Sequence, residues 1–176
     1  MPRPAAEDKP VTRILGIDIS LRSTGYAVIE HGGGRMRALA SGAIRSAASA
    51  SHSTILLNLQ RKIADLIGSS APDEAAIEGI FFCKNVKTAV TLGEARGAVL
   101  TACAATELPV YEYLPRKVKQ AVTGNGAAEK HQVRMMVMSL LGLDAEPQED
   151  AGDAMAIAIC HHHRRSAYEI LKPTRL

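Results

Sequence analysis

Ile14-Leu15-Gly16-Ile17-Asp18-Ile19, followed by Thr24-Gly25-Tyr26-Ala27-Val28-Ile29-Glu30 and then by His31-Gly32-Gly33-Gly34, decides the fold. Residues 12–19 are short, apolar and β-rich, and residues 24–30 read as a second strand. The glycine cluster signals a turn, and a third strand is predicted near residues 36–45, which makes an antiparallel meander. Asp18 is the anomaly in this stretch. A buried carboxylate without a partner costs several kcal/mol, or it takes up a proton.

Further along, the same anomaly recurs. Glu78 interrupts Ala75-Ala76-Ile77-Glu78-Gly79-Ile80-Phe81-Phe82, and Asp150 and Asp153 open the apolar run Ala154-Met155-Ala156-Ile157-Ala158-Ile159. No Lys or Arg is embedded beside them in these runs. Taken singly, each acid has an ordinary explanation. The Asp pair, at i and i+3 in a first helical turn, could compensate the helix dipole, as Glu146 and Glu149 are expected to do. Together they point to a shared divalent cation, Mg²⁺ or Mn²⁺ with hard oxygen ligands, and so to phosphoryl chemistry.

The intervening elements are legible from periodicity. Ile55, Leu59, Ile63 and Ile67 recur at helical spacing and predict a helix over residues 54–67. Pro72-Asp73 breaks the chain before a strand at 75–81. Residues 85–105 predict a long helix, apolar over most of its circumference, to be buried in the core or at an oligomer interface; Gly93 and Gly97 would admit another helix closely. Residues 108–113 form a fifth strand. Helices then follow from Pro115 to Gly124, from Ala127 to Leu141, and from Pro147 through the histidine cluster. The expected fold class is α/β, a five-stranded mixed sheet flanked by helices.

Composition agrees with one domain. The chain has 176 residues, 47% apolar and 22% charged, with a net charge of +3, so any basic DNA-binding surface must be local. We expect residues 1–11 to be a disordered tail, 12–165 the folded domain and 166–176 a C-terminal tail. Cys83, Cys103 and Cys160 read as reduced thiols, no apolar run reaches transmembrane length, and the expected localisation is cytoplasmic.

The motifs carry a family resemblance. Ile14 to Asp18 with Leu21-Arg22-Ser23-Thr24-Gly25-Tyr26, Ala76 to Asn85 with Leu92-Gly93-Glu94-Ala95-Arg96-Gly97, Arg116 to Val122 with Gly126-Ala127-Ala128-Glu129-Lys130, and Gln148 to Ala156 resemble, in order, the motifs of the RuvC family of Holliday junction resolvases. The resemblance spans roughly residues 12–163. It implies a ribonuclease H-like fold, a homodimer, and a Mg²⁺-dependent endonuclease with two ions per subunit, for which Mn²⁺ could substitute. Asp18, Glu78, Asp150 and Asp153 match the family's catalytic, metal-binding carboxylates. Paired symmetric nicks leaving 5′-phosphate and 3′-hydroxyl ends would resolve four-way DNA junctions in recombination and repair, and the family works with the branch-migration proteins RuvA and RuvB. Two departures stand out: Ile19-Ser20 where the family has Pro-Gly, and Gly152 where a helix former is common.

For the DNA itself, Arg116 and Lys119 expose a basic stripe opposite Val118 and Val122, and Lys130 and Arg134 repeat it with Met136, Val137 and Leu140 turned inward. Such a face is often merely solvated. The resemblance makes Lys119 and Lys130 DNA contacts needed for cleavage, and Lys84 and Lys87 are expected to add phosphate contacts. Phe81 matches the residue that stacks on bases at the opened junction, while strand alternation sends Phe82 to the other face, into the core. Cys160-His161-His162-His163 lacks zinc-ligand spacing and reads as a solvated helix C-terminus, although one of the three histidines could approach the metal site. Two alternatives remain open: an actin-like or sugar-kinase-type ATP-binding domain, to which Gly16 to Ser20 with Thr24-Gly25 is also similar, and a catalytically inactive junction-binding protein.

Overall fold

The structure is a computed structural model that describes residues 11–79, 85–164 and 174–176. Strands β1 (Thr12–Asp18), β2 (Ser23–Gly32) and β3 (Arg35–Arg45) form the antiparallel meander, with Asp18 opposite Gly25 and Ser23 opposite Arg45. Gly33 and Gly34 turn the β2–β3 hairpin with φ of 57° and 77°, a conformation that matches strand twist and excludes most side chains.

Helix α1 (His52–Ser70) starts earlier than the apolar repeat predicts, because Ser51 caps it by accepting from the Thr54 backbone N–H. It buries the expected row Ile55, Leu59, Ile63 and Ile67. Strand β4 (Glu74–Glu78) then pairs parallel to β1 on the side away from β2. Helix α2 (Val86–Ala105) follows, and β5 (Val110–Tyr113) pairs parallel to β4. After helices α3 (Pro115–Thr123), α4 (Lys130–Leu141) and α5 (Glu149–Arg164), a two-residue strand β6 (Thr174–Arg175) pairs antiparallel to β5.

Among the described residues the sheet therefore has six strands in the order β3-β2-β1-β4-β5-β6, where five were expected. The sixth lies in the stretch read as a C-terminal tail. Both its residues are exposed and it is held by backbone pairing alone, so no apolar pattern marks it.

Helices cover both faces of the sheet. Leu15, Ile17, Val28, Ala75 and Ile77 face α1 and α2, while Ile14, Ala27, Ile29 and Ala76 face α3, α4 and α5. Burial on both sides explains why the central strands read as continuous apolar runs. One sequence reading is corrected. In α4 the inward row is Val133, Val137 and Leu141, with Met136 38% exposed. In α2 only Ala95, Val99, Ala102 and Cys103 are buried, while Val86 is 80% and Val90 56% exposed.

Helix α5 is the most deeply buried, from Ala151 to His161 apart from Asp153. It lies directly on the meander. A Cβ at Gly16 would meet the Ala154 carbonyl oxygen at 2.1 Å, and one at Gly25 the Asp150 carbonyl oxygen at 2.0 Å. The two glycines let the helix backbone touch the sheet, and this close approach sets the position of its N-terminal acids.

Candidate active site

Asp18 is the last residue of β1 and Glu78 the last of β4, and these strands are parallel neighbours. Both carboxylates thus emerge at one end of the sheet, the end where ligands bind in open α/β sheets. The first turn of α5 rests on the same end through Gly25 and brings Asp150 and Asp153 there. A cavity of about 310 Å³ is lined by Asp18, Glu78, Asp153, Lys119 and Lys130. Asp150 does not line it; its Oδ2 accepts a 2.5 Å hydrogen bond from the Ser23 hydroxyl.

The electrostatics follow from this crowding. Burial, and then the charges of Asp153 and Asp150, push Asp18 up to about 6. Burial, and then Asp18 and Asp153, push Glu78 up to about 7. Lys130 pulls both the other way, as Lys119 does for Glu78. The Lys130 Nζ donates to Glu149 at 2.9 Å and lies 3.6 Å from Asp153, and these acids raise its pKa.

Hard oxygen donors that repel one another fit a divalent cation, which would offset the repulsion. The donors surround the cavity without converging: among the described residues no three His, Cys, Asp or Glu side chains stand close enough to share one ion.

The remaining sequence candidates are distributed as follows. Arg116 and Lys87 are exposed and do not line the cavity, and Arg134 turns to Glu146 in an ion pair. Glu146 and Glu149, expected to compensate the helix dipole, are also ion-pair partners, and Glu149 does stand in the first turn of α5. Phe81, Phe82, Lys84 and Cys83 lie outside the described residues.

The histidine reading is corrected. His161 is 1% exposed, not solvated; its Nδ1 lies 2.6 Å from the Tyr113 hydroxyl and its Nε2 2.9 Å from Glu74. Glu74 begins β4 whereas Glu78 ends it, so His161 sits at the far end of the sheet from the carboxylates.

Three contributors carry no assigned role in the sequence reading, although Ser20 belongs to the departure at Ile19-Ser20 noted there. Ser23 holds Asp150. Ser20 organises the loop after Asp18: its hydroxyl accepts from the Ser23 N–H at 3.1 Å, and its carbonyl accepts from the Thr24 hydroxyl. Arg96 donates to the Glu78 carbonyl at 3.4 Å and pairs with Glu112 at 3.1 Å. A charged Arg in the buried half of α2 was the available signal for the last.

A mixed sheet in this strand order with helices on both faces, and carboxylates at the ends of its two central parallel strands, is an architecture of the ribonuclease H-like class. Comparison with known proteins narrows the class. The profile described as Crossover junction endodeoxyribonuclease RuvC matches residues 14–161. The RuvC protein of Idiomarina loihiensis is 49% identical over 154 residues, covering 85% of this chain and 86% of the relative. That of Halorhodospira halophila is 46% identical, covering 89% and 93%. Thermus thermophilus RuvC in complex with a Holliday junction substrate superposes with a TM-score of 0.87 at 29% identity, covering 94% of this chain and 99% of that one. The yeast mitochondrial Holliday junction resolvase Ydc2 shares the fold, with a TM-score of 0.64 at 11% identity. The chain belongs to the RuvC family of crossover junction endodeoxyribonucleases, which are metal-dependent nucleases. Among the described residues no helix is long and apolar enough to cross a membrane.

Proposed function

We propose that this protein resolves four-way DNA junctions by paired symmetric nicks, and that Asp18, Glu78, Asp150 and Asp153 hold two Mg²⁺ ions per subunit, for which Mn²⁺ substitutes. The observation that carries this reading is one cavity in which mutually repelling carboxylates face two lysines. When bound, the metals supply an activated water and neutralise charge on the reacting phosphate. Lys119 and Lys130, on the cavity wall, offset the negative charge that builds up on that phosphate. Ser23 fixes the Asp150 carboxylate by its hydrogen bond, and Arg96 steadies the end of β4 that carries Glu78. The products are 5′-phosphate and 3′-hydroxyl ends.

DNA outside the cavity is held by Lys87, Arg116 and Arg134, with Lys84 and Phe81 assigned from their sequence positions alone, Phe81 by stacking on unpaired bases. The subunit pairs with a second copy through α2. The exposed Val86 and Val90, continued by Gly93 and Gly97, support this reading by giving that helix an apolar outward stripe. The nuclease domain comprises residues 12–165 together with strand β6 at Thr174–Arg175, and the enzyme works in the cytoplasm, where RuvA and RuvB are its candidate partners.

Family membership displaces the kinase-like alternative, and the presence of all four carboxylates disfavours an inactive junction binder. The deciding experiment is cleavage of a labelled four-way junction in Mg²⁺ and in EDTA, with the ends mapped. Symmetric nicks in Mg²⁺ alone are expected. Binding without cutting under any divalent metal sinks the enzymatic reading.

A further inference from the structure

A groove of about 990 Å³ runs between α1 and the β2–β3 hairpin, separate from the catalytic cavity. Its charged lining is Arg45, Arg61 and Lys62 against one acid, Asp65, and all four are exposed. Several other cations are paired: Arg13 and Arg37 hold Glu30, Arg96 holds Glu112, Lys130 holds Glu149 and Arg134 holds Glu146, whereas among the described residues Lys87, Arg116 and Lys119, proposed above to meet DNA, enter no ion pair. Among the described residues, Arg45, Arg61 and Lys62 enter no such ion pair, so the groove is a net positive surface.

The groove is also continuous with the catalytic end of the sheet. Arg45 stands opposite Ser23, whose hydroxyl holds Asp150, and the exposed Arg22 donates to the Ala47 carbonyl just beyond β3. From there α1 runs back along the sheet until Ser70 meets Arg13 at the start of β1, and Arg61 and Lys62 carry the positive track with it.

We infer that this groove is a second DNA-contact surface, holding backbone phosphates of a duplex arm outside the catalytic cavity. The inference rests on the proposed junction substrate and adds a positioning surface to it. The arms of a four-way junction extend far past one cavity, and duplex DNA carries a phosphate charge about every 1.7 Å of axis. Guanidinium and ammonium groups in a concavity beside the cutting site meet that charge, and they contribute orientation without reading sequence.

The test is a binding titration of the full chain in EDTA, with long-armed and truncated-armed four-way junctions over a series of salt concentrations. The R45A/R61A/K62A variant is expected to bind the long-armed junction about tenfold more weakly. Its salt slope should fall by between two and three, at about 0.9 per lost phosphate contact. On truncated arms the variant and parent should bind alike, and single-turnover cleavage of the saturated junction in Mg²⁺ should be unchanged. If the triple variant melts early, Arg61→Gln alone gives the same readout at about one unit of slope. Equal affinity and slope on long arms, with the parent binding normally, overturns the groove assignment. A deficit that persists in full on truncated arms does the same. A parent that binds no junction at any salt overturns the substrate reading instead.

Discussion

At the residue scale, the decisive property is that Asp18 and Glu78 retain protons to about 6 and about 7. Protons therefore compete with the metals, and the cleavage rate at limiting Mg²⁺ should rise from pH 5.5 to pH 8, roughly tenfold per unit between the two values and more steeply below the lower one, where two protons must leave. A pH–rate profile that is flat below pH 6 would contradict this. The same shifts predict an inverse effect on stability. Between the ordinary carboxylate range and about 7, the folded protein binds more protons than the unfolded chain, so stability in EDTA falls as pH rises through that window. Asp18→Asn should remove about 1–2 kcal/mol of this penalty and raise the melting temperature above pH 7 by about 3–6 °C. The gain should vanish near pH 4, and the variant should bind junctions without cutting them. Lys130→Ala should slow cleavage about 10- to 1000-fold at saturating DNA, measured in single turnover. Ser20 belongs to this scale as well. Its hydroxyl and carbonyl contacts to Ser23 and Thr24 pin the loop beside Asp18.

At the element scale, α5 is the part that sequence placed correctly but could not dock. Its acids were visible as an i, i+3 pair, yet only contact with Gly16 and Gly25 brings them to Asp18. Gly16→Ala should destabilise by about 1–3 kcal/mol or more, because the new methyl meets backbone, and should reduce cleavage further by displacing Asp150 and Asp153. Gly152 gives the contrast. A Cβ there finds only Pro147 Cγ at 3.5 Å, an ordinary contact. Gly152→Ala should stabilise by about 0.5–1 kcal/mol and leave cleavage intact, as thermal melts and the nicking assay would show. His161 marks where periodicity misled. A polar residue near a helix end normally reads as solvated, but this one is buried between Tyr113 and Glu74 because α5 crosses the whole sheet.

At the scale of the whole molecule, the strand order explains why acids distant in the chain become neighbours. Strands β1 and β4 are parallel and adjacent, so their C-terminal residues share one end. The same architecture leaves α2 with apolar residues outward. Val90, at 56% exposure, is the position to test for pairing of two copies. Val90→Asp should shift sedimentation from dimer to monomer at micromolar concentration without lowering the monomer's own folding cooperativity. A wild type that is monomeric throughout would remove the proposed interface.

The sequence alone determined strands β1 to β5, the helices, the four carboxylates and the basic helix faces, because apolar periodicity and misplaced charge are local signals, while β6 carries neither. Tertiary structure alone decided which partner each charge found. Lys130 meets Glu149 and Asp153, Arg134 is turned to Glu146, Asp150 is held by Ser23, and among the described residues Arg45, Arg61 and Lys62 find no ion pair along an open groove. Such pairings join residues far apart in the chain, and their geometry is set by how closely α5 packs against two glycines. No local pattern encodes that distance.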